Sequence, residues 1–316
     1  MAHTGPVKIR EGSIEQLITL YKHTYANLVK EITGATDAGK IRKARVMVRI
    51  NMELEALGVE VDKWARREIP QYYLDGANVA IQDLRALGVD ISKSKNFAVI
   101  NAEAIRALTD DVALAFGQSI TTLSRNGNQL LTTALRQQLN FIIAEGKLTG
   151  EARKTISNNI KQLIQENGIT GLQDKSGRNW TFDNYARMLA RTKAAEARNQ
   201  GLVNRMLTSG YDLVQVSNHN TDHPACKFWE GKVLSLTGEV PTGTILPGGF
   251  KVAGTLDEAK SKGLFHPNCK HAINVLVPSL ASKTQAYENP YNTLSREEKA
   301  KADAAFRNRN DAVMTP

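Results

Sequence analysis

Both cysteines of this 316-residue chain and four of its six histidines fall between His219 and His271. They sit in two short segments, SNHNTDHPACKFWEGKV and FHPNCKH, with a Gly- and Pro-rich stretch between them. Two clusters of that kind let a chain pinch a loop-rich subdomain around one metal ion, which constrains the fold more than any other feature of the sequence. Cys269 and His271 are two residues apart, so on an extended segment both side chains share a face and can share one ion. Cys226 is the third candidate, and the fourth is open among His219, His223, His266 and Asp222.

Other chemistries use the same residue types. Ordinary buried cysteines with hydrogen-bonded loop histidines are one alternative. A Cys–His hydrolase built on Cys226 or Cys269 with His266 is another, but no orienting third group or oxyanion site is identifiable. The run His219, Asn220, His223 superficially suggests a metal nuclease without its strand–strand–helix scaffold. A zinc deaminase would need a glutamate two residues after its ligand histidine and a paired-cysteine motif, and both are missing. No apolar run approaches the ~20 residues that cross a bilayer, and MAHTGPVKIREGS lacks the apolar core of a signal peptide. The expectation is therefore no membrane and a reducing compartment, where thiolate ligation is more usual than a disulfide.

Before the window the periodicity is helical. Ser13 and Gln16 read as a capping box opening a helix that ends near Gly34. A second helix is predicted from Thr36 or Asp37 to Gly58, burying Ile41, Val48, Met52 and Leu57. A third runs from Val61 to Gly88 with a kink or break at Pro70. Residues 89–100 read as a connector. Helices follow at 102–116, at 121–144 with a turn at Asn126–Asn128, and from Thr149 to Asn167. The turn-rich segment 174–182 then leads into a long helix over 183–207. Beyond Gly210 the period changes to two, and strands are predicted at 211–216, 233–236 and 272–277 with irregular loop between the last two. A polar tail follows, with Ser295 and Glu298 as a second capping box on a short helix. The predicted fold is mainly α: an N-terminal helical region (1–90), a central helical region (91–209), a small α+β module closed by zinc (210–284) and a polar tail (285–316).

The net charge of +9 is spread along the chain. Lys40, Arg42, Lys43, Arg45 and Arg49 form its one local basic cluster, a candidate nucleic-acid contact and otherwise a solvated helix face.

Three segments carry a resemblance: GRNWTFDNYARMLART (177–192), VSNHNTDHPACKFWEGKVLSLTG (216–238) and HPNCKH (266–271). In this order they resemble the phage minor capsid protein 2 family and, more distantly, the Mu F-like head morphogenesis proteins. Arg191 and Thr192 match the family's Arg-Thr, His219, Trp229, Gly231 and Lys232 its His…Trp-x-Gly-Lys run, and Cys269 and His271 its Asn-Cys-Arg-His ending, with Lys270 replacing arginine. Cys226 stands where the family commonly has histidine, an exchange a ligand position would permit. Trp229 occupies the second cysteine of the Mu F-like Cys-x-x-Cys. The resemblance thus implies His219, Cys226, Cys269 and His271 as structural zinc ligands, with His266 in reserve. It implies a non-enzymatic minor capsid protein made in the bacterial host cytoplasm and carried inside the virion head. Portal and other capsid proteins would be its partners, and its role would lie in head assembly or DNA packaging and ejection. A head-carried cysteine hydrolase or metal-dependent nuclease is the alternative.

Overall fold

The computed structural model describes residues 10–34, 40–91, 97, 101–130, 172–173, 179–280 and 294–312. The chain is mainly helical with a small C-terminal mixed sheet. Among the described residues the long helices are α1 (Glu11–Gly34), α2 (Lys40–Ala86), α3 (Ala102–Leu130) and α4 (Phe182–Thr208). The strand pair β1 (Leu172–Gln173) and β2 (Asn179–Trp180) precedes α4. After it come β3 (Leu213–Val216), α5 (Pro224–Lys227), β4 (Val233–Ser235), β5 (Val252–Thr255), α6 (Leu256–Ser261), β6 (Ile273–Val275) and α7 (Arg296–Ala312). The chain divides into two compact units, 10–68 with 107–190, and 1–9 with 69–106 and 191–316.

The first unit is helical. Ile14, Leu17, Ile18 and Tyr21 of α1 are buried at the spacing the sequence predicts. Tyr21 lies 4.5 Å from Phe182 and 6.1 Å from Phe116, and Trp64 meets Phe116 edge-on at 6.1 Å. Ser13 does not cap α1, which begins at Glu11. Its Oγ accepts from Trp64 Nε1 at 2.8 Å instead.

The predicted second and third helices are one 47-residue helix that continues through Gly58 and Pro70. A single buried stripe explains this: Val46, Ile50, Leu54, Leu57, Val61, Trp64, Ile69 and Tyr72 recur at the 3.6-residue period, so packing outweighs the hydrogen bond lost at proline. That stripe also corrects the predicted face, since Val48 and Met52 are 58% and 63% exposed. The helices predicted at 102–116 and from 121 are likewise continuous through Gly117. The remainder of the 121–144 prediction past 130, and the helix from Thr149, lie outside the described residues.

In the second unit, Gly210 at φ 81° ends α4, with Tyr211 N–H donating to Met206 O at 3.0 Å. The chain enters a sheet ordered β5-β4-β3-β6, antiparallel except for the β4–β5 pair. Alternation along the strands divides it cleanly. Val214, Val216, Leu234, Ile273 and Val275 join Leu202 and Met206 of α4, Ala80 and Leu84 of α2, Trp229 and Cys226 in one core. Leu213, Val233, Phe250, Val252 and Leu276 form the other. The stretch between the last two predicted strands is more regular than expected, holding β5 and α6, the latter capped by Thr255 Oγ1 accepting from Glu258 N–H at 3.1 Å. The Ser295–Glu298 capping box is present in both directions, at 2.8 and 3.3 Å. The buried Lys227 ammonium pairs with Asp303 of α7.

Candidate metal centre

β3 delivers the chain to the first ligand-rich segment. His223, extended at φ −64° and ψ 123°, caps α5, its Nδ1 accepting from Ala225 N–H at 3.3 Å, and Pro224 takes the first helical position. This one-turn helix turns Cys226 fully into the core. The second segment arrives through a tight turn in which Phe265 (φ 65°) and Asn268 (φ 63°) are left-handed and Cys269 N–H donates to His266 O at 2.9 Å. An aromatic residue there is strained by roughly 1–2 kcal/mol, so the surrounding packing over-determines the turn that presents Cys269. β6 then fixes His271, 3% exposed.

Cys226 Sγ and Cys269 Sγ stand 3.6 Å apart, both unbonded, and Cys269 Sγ is 3.2 Å from His271 Nδ1. Tetrahedral zinc, with Zn–S near 2.3 Å and Zn–N near 2.05 Å, would set about 3.8 Å between two sulfurs and about 3.6 Å between sulfur and nitrogen. The donors therefore already sit close to the edges of such a tetrahedron, whereas a disulfide would need sulfurs at about 2.05 Å. On its other side, His271 Nε2 is 2.8 Å from Glu230 Oε1. Glu230 is fully buried and accepts from the main-chain N–H groups of His219 at 2.8 Å and Thr221 at 3.1 Å. A carboxylate held there keeps the proton on Nε2 and leaves the Nδ1 lone pair facing the sulfurs, the usual arrangement behind a metal-ligating histidine.

Cys226, Cys269 and His271 thus come together as a group that could hold a metal ion, and a second group, His223, Cys226 and His266, shares Cys226 with the first. His219 belongs to neither group. Its Nε2 lies 2.9 Å from Ser217 Oγ, the ring also hydrogen-bonds the Lys270 main chain, and it meets His271 edge-on at 5.0 Å. His223 and His266 stack at 3.7 Å. They differ in which ring nitrogen carries the proton. His266 Nδ1 is 2.8 Å from the Pro267 carbonyl and must carry the proton, so its Nε2 offers a lone pair. His223 Nδ1 accepts the hydrogen bond from Ala225 N–H, which places the hydrogen of the neutral ring on its Nε2.

The electrostatics suit a cation. Burial holds His219 and His223 below the ordinary imidazole range, with His271 beside the first and His266 beside the second adding to the effect. For His271 burial also lowers the value, but hydrogen bonds to Cys269 and Glu230 outweigh it and the net shift is upward. Cys269 is drawn down by the hydrogen bond from Cys226, against burial and with help from His271, while Cys226 is pushed up by that hydrogen bond and by burial. Two thiols and an imidazole this close, beside a buried carboxylate, are a donor set that a divalent cation would bind in place of their protons.

The remaining predicted positions surround this centre. Trp229 is 2% exposed and packs in the core under it, and Gly231 (φ 74°) makes the turn into β4. Lys232 Nζ lies 4.4 Å over the Phe228 ring. Thr192 on α4 accepts from Asn268 N–H at 3.4 Å, and half-buried Arg191 precedes it. Sequence reasoning missed Glu230 and Ser217. Each is a single polar residue beside a motif; Ser217 meets His219 two residues on, and Glu230 reaches His271 across 41 residues of sequence. Of the basic cluster, Arg45 and Arg49 are exposed, Arg49 lying 3.3 Å from Glu31. The side chains of Lys40, Arg42 and Lys43 lie outside the described residues. No helix among the described residues is long and apolar enough to cross a membrane.

The family model for phage minor capsid protein 2 matches residues 55–311, most of the chain. Comparison with curated proteins and with solved structures gave no match.

Proposed function

The chain belongs to the phage minor capsid protein 2 family, a structural phage head protein family, and from that premise we propose a portal-associated protein inside the head of a tailed bacteriophage. Its role there is in head assembly or in DNA packaging and ejection. Its C-terminal sheet is clasped by one structural zinc ion, held by Cys226, Cys269 and His271, with His266, which groups with Cys226 but not with Cys269 and His271, turning in as fourth ligand because its Nε2 is the unprotonated nitrogen. This replaces His219 in the expected set, since Ser217 and Lys270 already engage that ring. The observation that carries the reading is the convergence of two unbonded sulfurs and an Nδ1 lone pair in front of a buried carboxylate. Zinc would supply a cross-link between segments far apart in the chain, worth on the order of 10 kcal/mol to a small fold.

The test is metal analysis of reduced, purified protein beside proteomics and cross-linking of purified particles. One zinc per chain, lost in Cys269→Ser, and cross-links to the portal protein are expected. Metal-free protein whose unfolding is unchanged by a chelator would sink the clasp, and absence from particles would sink the head assignment. The Cys269–His271–Glu230 array supports a second reading, a head-carried cysteine hydrolase. Rapid alkylation of Cys269 in protein as purified would favour it, and protection by bound zinc would exclude it.

A further inference from the structure

Cys226 and Cys269 are the chain's two cysteines, and the fold sets their sulfurs 3.6 Å apart. Their surroundings are unequal. Cys226 has no exposed surface, whereas Cys269 is half-buried and lines a cavity of about 280 Å³ that opens toward solvent between α4 and the turn after α6. A cavity of that size admits several molecules as small as water, whose share of the liquid is about 30 Å³. A small oxidant therefore has a route to Cys269 and none to Cys226. Sealed in the core, Cys226 can be met by one other sulfur, that of Cys269, and not by a second chain or an external thiol. Closing the gap to the ~2.05 Å of an S–S bond takes about 1.5 Å of movement, less than a change of rotamer at Cys269 provides.

We propose that Cys226 and Cys269 are a peroxide-oxidisable dithiol–disulfide pair, which exchanges the metal clasp for a covalent one between the same two segments. The Cys269 sulfur takes one oxygen of hydrogen peroxide, the O–O bond breaks, and the thiol proton leaves with the other oxygen as water. The Cys226 sulfur then attacks the sulfenic sulfur of Cys269. The S–O bond breaks, the S–S bond forms, and hydroxide leaves with the Cys226 proton as a second water. The two sulfurs together lose two electrons, and these reduce the peroxide. From metal-bound thiolates the product is the same, with solvent supplying the two protons and the cation leaving hydrated. The two segments stay joined throughout. The exchange of clasps rests on the zinc reading above, and a change of compartment from reducing cytoplasm to released particle rests on the head assignment; the sulfur chemistry rests on neither.

The experiment treats the full chain with hydrogen peroxide, both as purified and after chelation, with zinc content measured beforehand. A parallel series contains dimedone, which traps sulfenic acid. Peptide mapping is expected to find dimedone on Cys269 at least about tenfold above Cys226, because the latter is sealed from the reagent. Without dimedone a Cys226–Cys269 bond should form within the monomer in both samples, and a chelating dye should detect the zinc released. Dithiothreitol should restore both thiols and the capacity to bind zinc. Cys226→Ala should stop at oxidised Cys269, and Cys269→Ala should leave Cys226 unmodified; the map of the unaltered chain decides the matter even if these variants fold poorly. Equal dimedone labelling of the two cysteines, disulfide-linked dimers in place of the internal bond, or sulfinic acid on Cys269 with Cys226 still a thiol would each overturn the proposal. Zinc retained with both thiols intact would overturn it and leave the clasp standing. An internal disulfide in protein that never carried zinc would overturn the clasp and leave the dithiol pair standing.

Discussion

The replacement of Gly76 by alanine tests how the second unit is assembled. Gly76 of α2 and Gly201 of α4 face each other's backbones. A Cβ on Gly76 would lie 1.8 Å from Arg198 O and 2.7 Å from Arg198 C, and a Cβ on Gly201 would lie 1.9 Å from Tyr73 O. The ordinary limit for a carbon–oxygen contact is about 3.3 Å, so the helices must part by about 1.5 Å, and neither obstacle is a side chain that could swing away. Such a separation also breaks the 2.6 Å hydrogen bond from Asn204 Nδ2 to Tyr73 OH and loosens buried Ala77, Ala80 and Ala197. Overpacking at its upper end costs about 3 kcal/mol and the hydrogen bond about 1, while alanine returns about 1 in helix propensity.

The net loss of about 3 kcal/mol corresponds to a fall in Tm of about 6–12 °C for a unit of this size. Circular dichroism melting of the full chain measures it. Gly58→Ala is the control, because the new Cβ would be 3.8 Å from the flexible end of Ile120, an ordinary contact. It should leave Tm unchanged or raise it. The double variant Gly76→Ala/Gly201→Ala should cost little more than the worse single one, since one displacement relieves both clashes. A Gly76→Ala protein as stable as Gly58→Ala, or strictly additive losses, would refute the close backbone crossing.

Glu230→Gln should weaken zinc affinity by about 10–100-fold, measured by competition with a chelating dye, because the His271 Nε2 proton loses its carboxylate. His266→Ala should lower zinc affinity more than His219→Ala does, and the reverse order would assign His219 as the ligand. Asp303→Ala removes the carboxylate partner of the buried Lys227 ammonium and should destabilise the chain by about 3 kcal/mol in urea unfolding. Lys227→Met, which removes the buried charge itself, should cost less than that.

Periodicity carried most of the helical reading because burial in long helices repeats every 3.6 residues and needs no knowledge of partners. It failed where two phases compete. Val48 and Met52 are apolar and helically spaced, yet the stripe from Val46 to Tyr72 sets the buried side, and only the whole length of α2 reveals which phase persists. Gly58 and Pro70 misled for a related reason: each is a breaker by local energy, and each sits within a stripe whose burial on both sides outweighs about 1–3 kcal/mol of local cost. The loop before β5 misled in the opposite direction. Its parallel partner β4 is distant in sequence, and three or four residues are too few to show a period of two.

The Cys/His cluster was readable in location and only partly in membership. Concentration of cysteine and histidine in two segments survives any fold that brings the segments together, so Cys226, Cys269 and His271 could be named from composition and spacing. Choosing among His219, His223 and His266 depends on something spacing does not encode, namely which ring nitrogen is already engaged. In neutral imidazole a metal needs the nitrogen without a proton, and the neighbouring group fixes which one that is. Ser217 and Lys270 engage His219, Ala225 N–H takes Nδ1 of His223, and the Pro267 carbonyl takes the proton of His266. Three of those four contacts run through the main chain, which any side chain at those positions could supply. A motif records which side chains are present, so the feature that separates a ligand from its neighbours leaves little trace in it.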